Sequence, residues 1–258
     1  MSRLLCVATR GIVPHQAMGG FKKLSRKGRN PPGTGKGHRS GWGVGYFPGG
    51  RLRLVRETGD AFASVHFDEV SHMAGSNPDS RVLLAQLWSS PSRELADRIE
   101  AIPPLPGTDG SGRAWLFSFD GDVGERQKTG EPYVVDVSKE TPSQRLLREI
   151  LAAMPAPEGK DGPARNAVAP AVAKVLGATA EQYRFSHLNF ALTDGITIYL
   201  ARFVDREAEW NEVHFCRMNR SILGCSEPLE TVEAKWELLA NRQMVVFDSG
   251  LNMTKAAL

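Results

Sequence analysis

The sequence predicts an α+β fold that contains a large amount of antiparallel sheet. Three observations support this prediction: many apolar runs have strand length, glycine-containing turns separate several of them, and only three blocks show helical spacing. The chain has 258 residues, of which 41% are hydrophobic and 24% charged, as in soluble globular proteins. A chain of this length forms one large domain or two small ones, and its composition excludes a wholly disordered protein.

Short apolar runs are predicted to be β-strands, and two pairs of them are predicted to form hairpins. Pro48-Gly49-Gly50 separates the first pair, and Asp194-Gly195, a favoured two-residue hairpin turn, separates the second. The predicted strands are residues 4–9, 42–47, 51–56, 82–88, 114–119, 133–137, 185–193, 196–203, 213–218, 221–224 and 244–247.

Three blocks are predicted to be helices. Residues 61–73 carry apolar side chains at helical spacing. Thr141 and Pro142 are a favoured cap and a favoured first residue for a helix over 141–154. An alanine- and valine-rich block predicts a helix over 164–176, with Gly177 as its stop. The Pro- and Gly-rich stretches 91–112 and 155–163 are predicted to be loops.

Membrane, disulfide and metal-binding proteins are not expected from this sequence. No apolar stretch approaches the ~20 residues of a membrane span, and the N-terminal apolar run is too short for a signal peptide. We therefore expect a cytoplasmic protein without membrane contact. Cys6, Cys216 and Cys225 imply no disulfide framework. The histidines and cysteines lack metal-ligand spacing, so we expect no metal and no cofactor.

A basic segment from Lys22 to Arg39 contains seven lysines and arginines and no acidic residue. Two interpretations remain open, a solvated basic loop or a surface that contacts an anionic partner. Apart from Phe21 at its edge, the segment has no aromatic residue that could stack on a base. Nucleic-acid binding is therefore not expected.

Glycines alternate with larger residues in Gly41-Trp42-Gly43-Val44-Gly45-Tyr46, which leaves one face of a predicted strand without side chains. Another backbone or a ligand could approach this face, or the strand could pack tightly against a helix. With His38 and Arg39 before it, this segment resembles the Gly-x-Gly-x-His-x-Asp-Gly-Trp-Gly segment of the class II glutamine amidotransferases. These enzymes are N-terminal-nucleophile glutaminases.

The resemblance extends in order over nearly the whole chain. The start, Met-Ser-Arg-Leu-Leu, is similar to the family's Met-Cys-Arg-Leu-Leu, and residues 84–88 stand where the family has Ala-His-x-Arg. Residues 115–121 resemble Trp-x-Phe-Ala-His-Asn-Gly, and residues 141–144 resemble Thr-Asp-Ser-Glu before a helix. Residues 189–195 resemble a strand that ends in Ser/Thr-Asp-Gly, and residues 226–229, followed by Trp236, resemble Ser-Glu-Pro-Leu and a tryptophan. The resemblance implies a four-layer αββα sandwich of the N-terminal-nucleophile hydrolase type, formed as a single domain by residues 1–258.

The resemblance also implies the roles of individual positions. In the family, the cysteine that follows Met1 attacks the glutamine amide, its own α-amine is the base, and an asparagine and the next glycine form the oxyanion hole. Here the nucleophile position is Ser2, and the oxyanion positions are Asp120 and Gly121. The implied remnant of the substrate pocket is Arg39, Trp42, Gly43, Trp88 and Pro142. Trp88 replaces the arginine that holds the substrate carboxylate, and Pro142 replaces the aspartate that holds its amine.

These substitutions predict that glutamine hydrolysis has been lost. An ionised Asp120 only accepts hydrogen bonds and would repel an oxyanion, Trp88 cannot form a bidentate ion pair, and Pro142 carries no charge. We therefore expect no glutamine binding. We also expect a raised pKa for Asp120, unless His38 or Arg39 supplies a counter-ion. Ser2 is expected on a central strand that faces residues 41–45.

The sequence thus predicts a non-catalytic scaffold or regulatory subunit that binds a protein partner or a second copy of itself. The alternative is an N-terminal-serine amidohydrolase or amidotransferase that uses Ser2 on a different amide. Serine is compatible with this alternative because it can serve as an N-terminal nucleophile, although it is less reactive than cysteine.

Overall fold

Residues 2–90, 92–125, 140–155 and 165–258 are described by the computed structural model, and they form five α-helices and thirteen strands. The helices are α1 (His15–Lys27), α2 (Val65–Ser76), α3 (Arg93–Ala96), α4 (Pro142–Ala153) and α5 (Arg165–Gln182). The strands are β1 (Ser2–Thr9), β2 (Gly41–Tyr46), β3 (Arg53–Thr58), β4 (Val82–Trp88), β5 (Leu105–Thr108), β6 (Ala114–Glu125), β7 (Tyr183–Thr193), β8 (Thr197–Arg202), β9 (His214–Arg217), β10 (Ser221–Cys225), β11 (Glu237–Leu238), β12 (Gln243–Asp248) and β13 (Met253–Ala257). The strand predicted over residues 133–137 lies outside the described residues.

The described strands form two antiparallel sheets. Sheet A has the order β11-β9-β10-β1-β4-β2-β3, and sheet B has the order β13-β12-β8-β7-β6-β5. β1 is central in sheet A because it pairs with β10 on one side and with β4 on the other. Every residue of β1 is buried, which explains its continuous apolar run.

Three apolar layers hold the helices and sheets together. Alternate residues of β1 point to opposite faces, so Leu5 packs beneath α1 and α2 while Leu4 packs between the two sheets. On the outer face of sheet B, Phe117 and Phe190 pack beneath α4 and α5. The order of layers is therefore helix, sheet, sheet, helix, which confirms the predicted αββα sandwich.

Several local predictions need correction. The first part of the basic segment is not a loop but helix α1, which buries Ala17, Met18 and Phe21 against sheet A. This helix is hard to recognise in the sequence because Pro14 precedes it without a capping side chain. Gly177 does not end α5, since it does not adopt the left-handed conformation of a helix stop. α3 and β5 form within the predicted loop 91–112.

Candidate functional site

The register of three strands places Ser2 at the edge of a cavity. Ser2 lies opposite Trp88 on β4, and Trp88 lies opposite Gly41 on β2. β4 therefore separates Ser2 from residues 41–45, which the sequence predicted it to face. Ser2 is 4% exposed, and its hydroxyl has no hydrogen-bond partner among the described residues.

The Asp120 carboxylate connects β6 of sheet B to the start of β1. Asp120 is completely buried, and its Oδ1 accepts a hydrogen bond from the backbone N–H of Ser2 at 3.0 Å. Its Oδ2 lies 3.2 Å from Nη1 of Arg3 and accepts a hydrogen bond from Oγ of Ser226 at 3.1 Å. Nε2 of His187 lies 3.5 Å from Oδ1. Donors therefore approach both carboxylate oxygens.

These contacts keep Asp120 ionised. Burial alone would raise the pKa of Asp120, but the proximity of His187 and the charge of Arg3 outweigh burial and hold the pKa well below its usual range. The predicted rise in this pKa is therefore wrong, because Arg3 supplies a counter-ion that the sequence argument did not consider. At neutral pH a carboxylate acceptor stands at the position where the resemblance implies an oxyanion donor.

Arg3 is the functional-site residue that sequence reasoning missed. Its guanidinium is fully buried and contacts the carboxylates of Asp120 and Glu227. It also donates to the backbone oxygens of Ser2, at 2.7 Å, and of Arg29. The signal available in the sequence was a single charge inside the otherwise apolar run of β1. A buried charge requires such complete pairing. Because one of these partners is the backbone oxygen of Arg29, Arg3 also holds the loop at Arg29 against the site.

Gln86 joins the two sheets beside this network. It stands at the position of the family's histidine, and its side-chain amide donates to the backbone oxygen of Phe119. The backbone N–H of Phe119 donates to Oε1 of Gln86 at 2.9 Å. β5 begins at Leu105, opposite Phe117, so it supplies no strand partner for Phe119. Gln86 therefore takes the place of a neighbouring strand.

A cavity of about 390 Å³ opens beside Ser2. Of the predicted site residues, Ser2, Gly121, Trp88 and Pro142 line it. Trp88 also packs against Leu95, so its indole forms a wall. Asp122 is the only ionisable side chain among the described lining residues, and it is 62% exposed.

The other predicted pocket residues lie elsewhere. Arg39 is exposed and is not among the residues that line the cavity. Trp42 points to the helix side of sheet A, where its ring meets Phe67 edge-on at 5.1 Å. Gly43 faces a neighbouring backbone, since a Cβ there would lie 2.6 Å from the carbonyl oxygen of Pro103. The approach of another backbone is therefore found at Gly43, whereas at Gly45 the side chain of Leu116 approaches the strand.

Among the described residues, neither the cysteines nor a metal centre offers a competing site. All three cysteines are free and buried, and burial raises the pKa of Cys216 and of Cys225 to about 12. Such thiols remain protonated and are poor nucleophiles at neutral pH. In the part of the chain that the structure describes, no three His, Cys, Asp or Glu side chains are grouped to hold a metal. A second cavity, of about 540 Å³, lies between β5 and α4 and contains neither Ser2 nor Asp120.

The cations of the basic segment are partly neutralised by distant acids. Lys22 pairs with Asp68 at 2.7 Å, and Arg26 pairs with Asp60 at 2.9 Å. Arg29 lies 3.3 Å from Glu212. Because these acids lie outside the segment, its sequence alone predicts more unpaired positive charge than the structure has. None of the described helices combines the length and apolar character that crossing a bilayer requires.

Solved structures provide the comparison for this arrangement. No protein-family model matches the sequence, and no curated protein matches it significantly. The glutamine phosphoribosylpyrophosphate amidotransferase of B. subtilis superposes with a TM-score of 0.65 at 10% identity, over 99% of this chain and 49% of its own. The chain thus spans about half the length of that enzyme.

Two proteins of similar length superpose as well. A glutamine aminotransferase class-II domain protein from Silicibacter pomeroyi does so with a TM-score of 0.60 at 18% identity, over 99% of both chains. A predicted glutamine amidotransferase from Pseudomonas aeruginosa does so with a TM-score of 0.58 at 15% identity, over 99% of this chain and 100% of its own. The chain has the fold of the class II glutamine amidotransferases. At these identities the likeness establishes the fold, and the chemistry depends on the residues of the site.

Proposed function

We propose that residues 1–258 form a single class II glutamine amidotransferase-like domain that does not hydrolyse glutamine and acts as a scaffold or regulatory subunit. The observation that carries this proposal is the buried, ionised Asp120 at the oxyanion position. Removal of one oxyanion donor costs roughly 10²–10³ in rate, and a carboxylate at that point adds repulsion of the developing negative charge.

The same carboxylate opposes the base. If Met1 is removed, the nitrogen that lies 3.0 Å from Oδ1 of Asp120 becomes the α-amine of Ser2. An adjacent carboxylate favours the protonated ammonium form. A protonated amine cannot accept the proton of the Ser2 hydroxyl, so the base that the family uses would be blocked.

The cavity also lacks the charges that would hold glutamine. Trp88 and Pro142 line it at the positions of the family's cation and anion, and no lysine or arginine is among the described lining residues. A glutamine carboxylate entering this space would lose hydration without gaining an ion pair. The missing charges therefore support loss of glutamine recognition independently of the residue at the oxyanion position.

The proposed role requires a protein partner or a second copy of the chain. Lys23, Lys27 and Lys36 are exposed and form no ion pair among the described residues, so this face suits an acidic protein surface. We propose that the αββα core presents this basic face to its partner.

Ammonia release from glutamine tests the proposal. We expect the purified protein to release ammonia no faster than its Ser2→Ala variant. Saturable release that this substitution abolishes would overturn the proposal.

A second candidate is hydrolysis of another amide by Ser2. It is favoured by one observation, the position of Ser2 at the cavity with a hydroxyl that has no partner among the described residues. Incubation with a panel of uncharged anilides tests it, because a catalytic Ser2 would become acylated as the amide C–N bond breaks and the aniline leaves. Mass spectrometry would then show an added acyl group on the N-terminal peptide, and Ser2→Ala would remove it.

A further inference from the structure

The cavity beside Ser2 has the features of a binding site for a small apolar molecule. Its volume of about 390 Å³ falls within the range typical of small-molecule pockets, roughly 300–1,000 Å³. Trp88 and Phe119 contribute aromatic surface, and Pro103, Pro142 and Leu95 contribute aliphatic surface. Planar apolar groups bind well to surfaces of this kind.

The charges around the cavity disfavour an anion. Asp122 carries the only charge among the described lining side chains, and its Oδ1 already accepts hydrogen bonds from N and Oγ of Ser186, both at 2.6 Å. Asp120, which lies beneath Ser2, is paired with Arg3 and is not available as a free charge. A carboxylate ligand would therefore meet the negative charge of Asp122 and no lysine or arginine side chain among the described lining residues.

Two hydrogen-bonding groups remain for a neutral ligand. The Ser2 hydroxyl and the indole N–H of Trp88 have no hydrogen-bond partners among the described residues, and both residues line the cavity. A carbonyl or amide oxygen can accept from either group, whereas a purely apolar ligand would leave both unsatisfied.

We propose that this cavity binds an uncharged molecule that carries a planar apolar group and a carbonyl or amide acceptor. The inference rests on the proposed function, because it assumes that the cavity no longer recognises glutamine. It adds a ligand class for the same site and makes the protein a sensor of a neutral small molecule.

Benzamide and benzoate are the matched probes, since they share a ring and differ in charge. We expect benzamide to shift the indole ¹⁵N–¹H resonance of Trp88 saturably, with a Kd of about 1 mM, as suits a ligand of this size. Benzoate should bind at least roughly tenfold more weakly because it must give up hydration of its charge. Trp88→Phe identifies the resonance. Equal affinity for the two probes, or no shift with benzamide at about ten times this concentration, would overturn the inference.

A cavity-filling variant locates the binding. Ser143 lines the cavity as the second residue of α4, so Ser143→Trp should abolish the benzamide shift. Gln16→Trp is the matched control, because Gln16 is the exposed second residue of α1, and it should leave binding unchanged. Unchanged binding in Ser143→Trp would contradict the assignment, and the probe comparison on the unmodified protein stands even if this variant does not fold.

Glutamine, tested in the same titration, separates the two proposals. A glutamine shift with ammonia release would overturn the proposed function and, with it, this inference. If neither glutamine nor benzamide shifts the Trp88 resonance, the inference is overturned and the proposed function is not.

Discussion

The side-chain amide of Gln86 forms a two-point hydrogen bond with the backbone of Phe119. One group donates and the other accepts, and the contact joins β4 of sheet A to β6 of sheet B. Both residues are buried, so water cannot replace either bond. Phe119 directly precedes Asp120, so the contact helps to hold the Asp120 carboxylate in its position beneath Ser2.

Gln86→Leu should lower the free energy of unfolding by about 3 kcal/mol, because it leaves a buried N–H and a buried C=O without partners. Chemical denaturation measures this change. Ser118→Ala is the control on β6, the strand of Phe119, since the buried Ser118 hydroxyl has no hydrogen-bond partner and its loss should cost little. Equal effects of the two substitutions would contradict the assigned role of Gln86.

Asp120→Asn should destabilise the protein by about 3 kcal/mol at pH 7, because it removes one partner of a buried ion pair. The folded-state pKa of Asp120 is depressed, so its stabilising effect is present above the unfolded pKa of about 4 and is lost as the pH falls below it. The variant should therefore lose less stability than the parent between about pH 5 and pH 2. Asp79→Asn, at an exposed position, should retain the parent's acid sensitivity. Parallel pH profiles for parent and Asp120→Asn would contradict this account.

The α-amine of Ser2, once Met1 is removed, should have a higher pKa than it has in Asp120→Asn. The carboxylate at 3.0 Å favours the ammonium, and the substitution removes that negative charge while Arg3 stays. The pH dependence of the NMR signal after ¹³C-methylation of the α-amine measures the difference. An unchanged pKa would show that Asp120 does not hold the amine protonated, and intact mass establishes beforehand that Met1 is absent.

Trp88→Arg combined with Pro142→Asp should create millimolar glutamine binding where the parent has none. The pair restores a cation and an anion to the cavity at the positions that the family uses for the two charges of the substrate. Pro142→Asp alone is a suitable control, because an acid in the first turn of α4 favours the helix and supplies only one charge. Calorimetric titration tests the pair. Its failure to bind glutamine, in a variant with an unchanged circular dichroism spectrum, would show that other residues determine recognition.

Gly43→Ala should cost about 1–3 kcal/mol of stability, because its Cβ would lie 2.6 Å from the carbonyl oxygen of Pro103 and backbone atoms cannot easily move away. Gly19→Ala is the opposite case, since nothing lies within 4 Å of its Cβ in α1, and it should stabilise by up to about 1 kcal/mol. Thermal unfolding of the two variants compares them directly. A neutral Gly43→Ala would show that the 102–104 backbone yields easily.

The fold could be predicted because its signals are local and repeated. Buried strands such as β1 and β4 appear as continuous apolar runs, and Thr141 caps α4 as the sequence suggested. α1 could not be predicted in the same way, because its apolar face can be recognised only from its packing against sheet A.

The site was harder to predict because its electrostatics depend on residues far apart in the sequence. The charge state of Asp120 depends on Arg3 and His187, which are brought together by three different strands. The family resemblance placed Trp88 and Pro142 at one cavity with Ser2, yet it also placed Trp42 there. The strand alternation of β2 sends Trp42 to the opposite face of the sheet from its glycine neighbours.

The central position of β1 has a consequence for synthesis on the ribosome. Residues 5–9 pair with residues 221–225, which are synthesised more than 200 residues later. At bacterial or eukaryotic rates this wait is on the order of 10 s, during which an apolar segment lacks one of its two neighbouring strands. Completion of sheet A is therefore a late event, and nascent chains of this protein are expected to be clients of chaperones that shield unpaired strands.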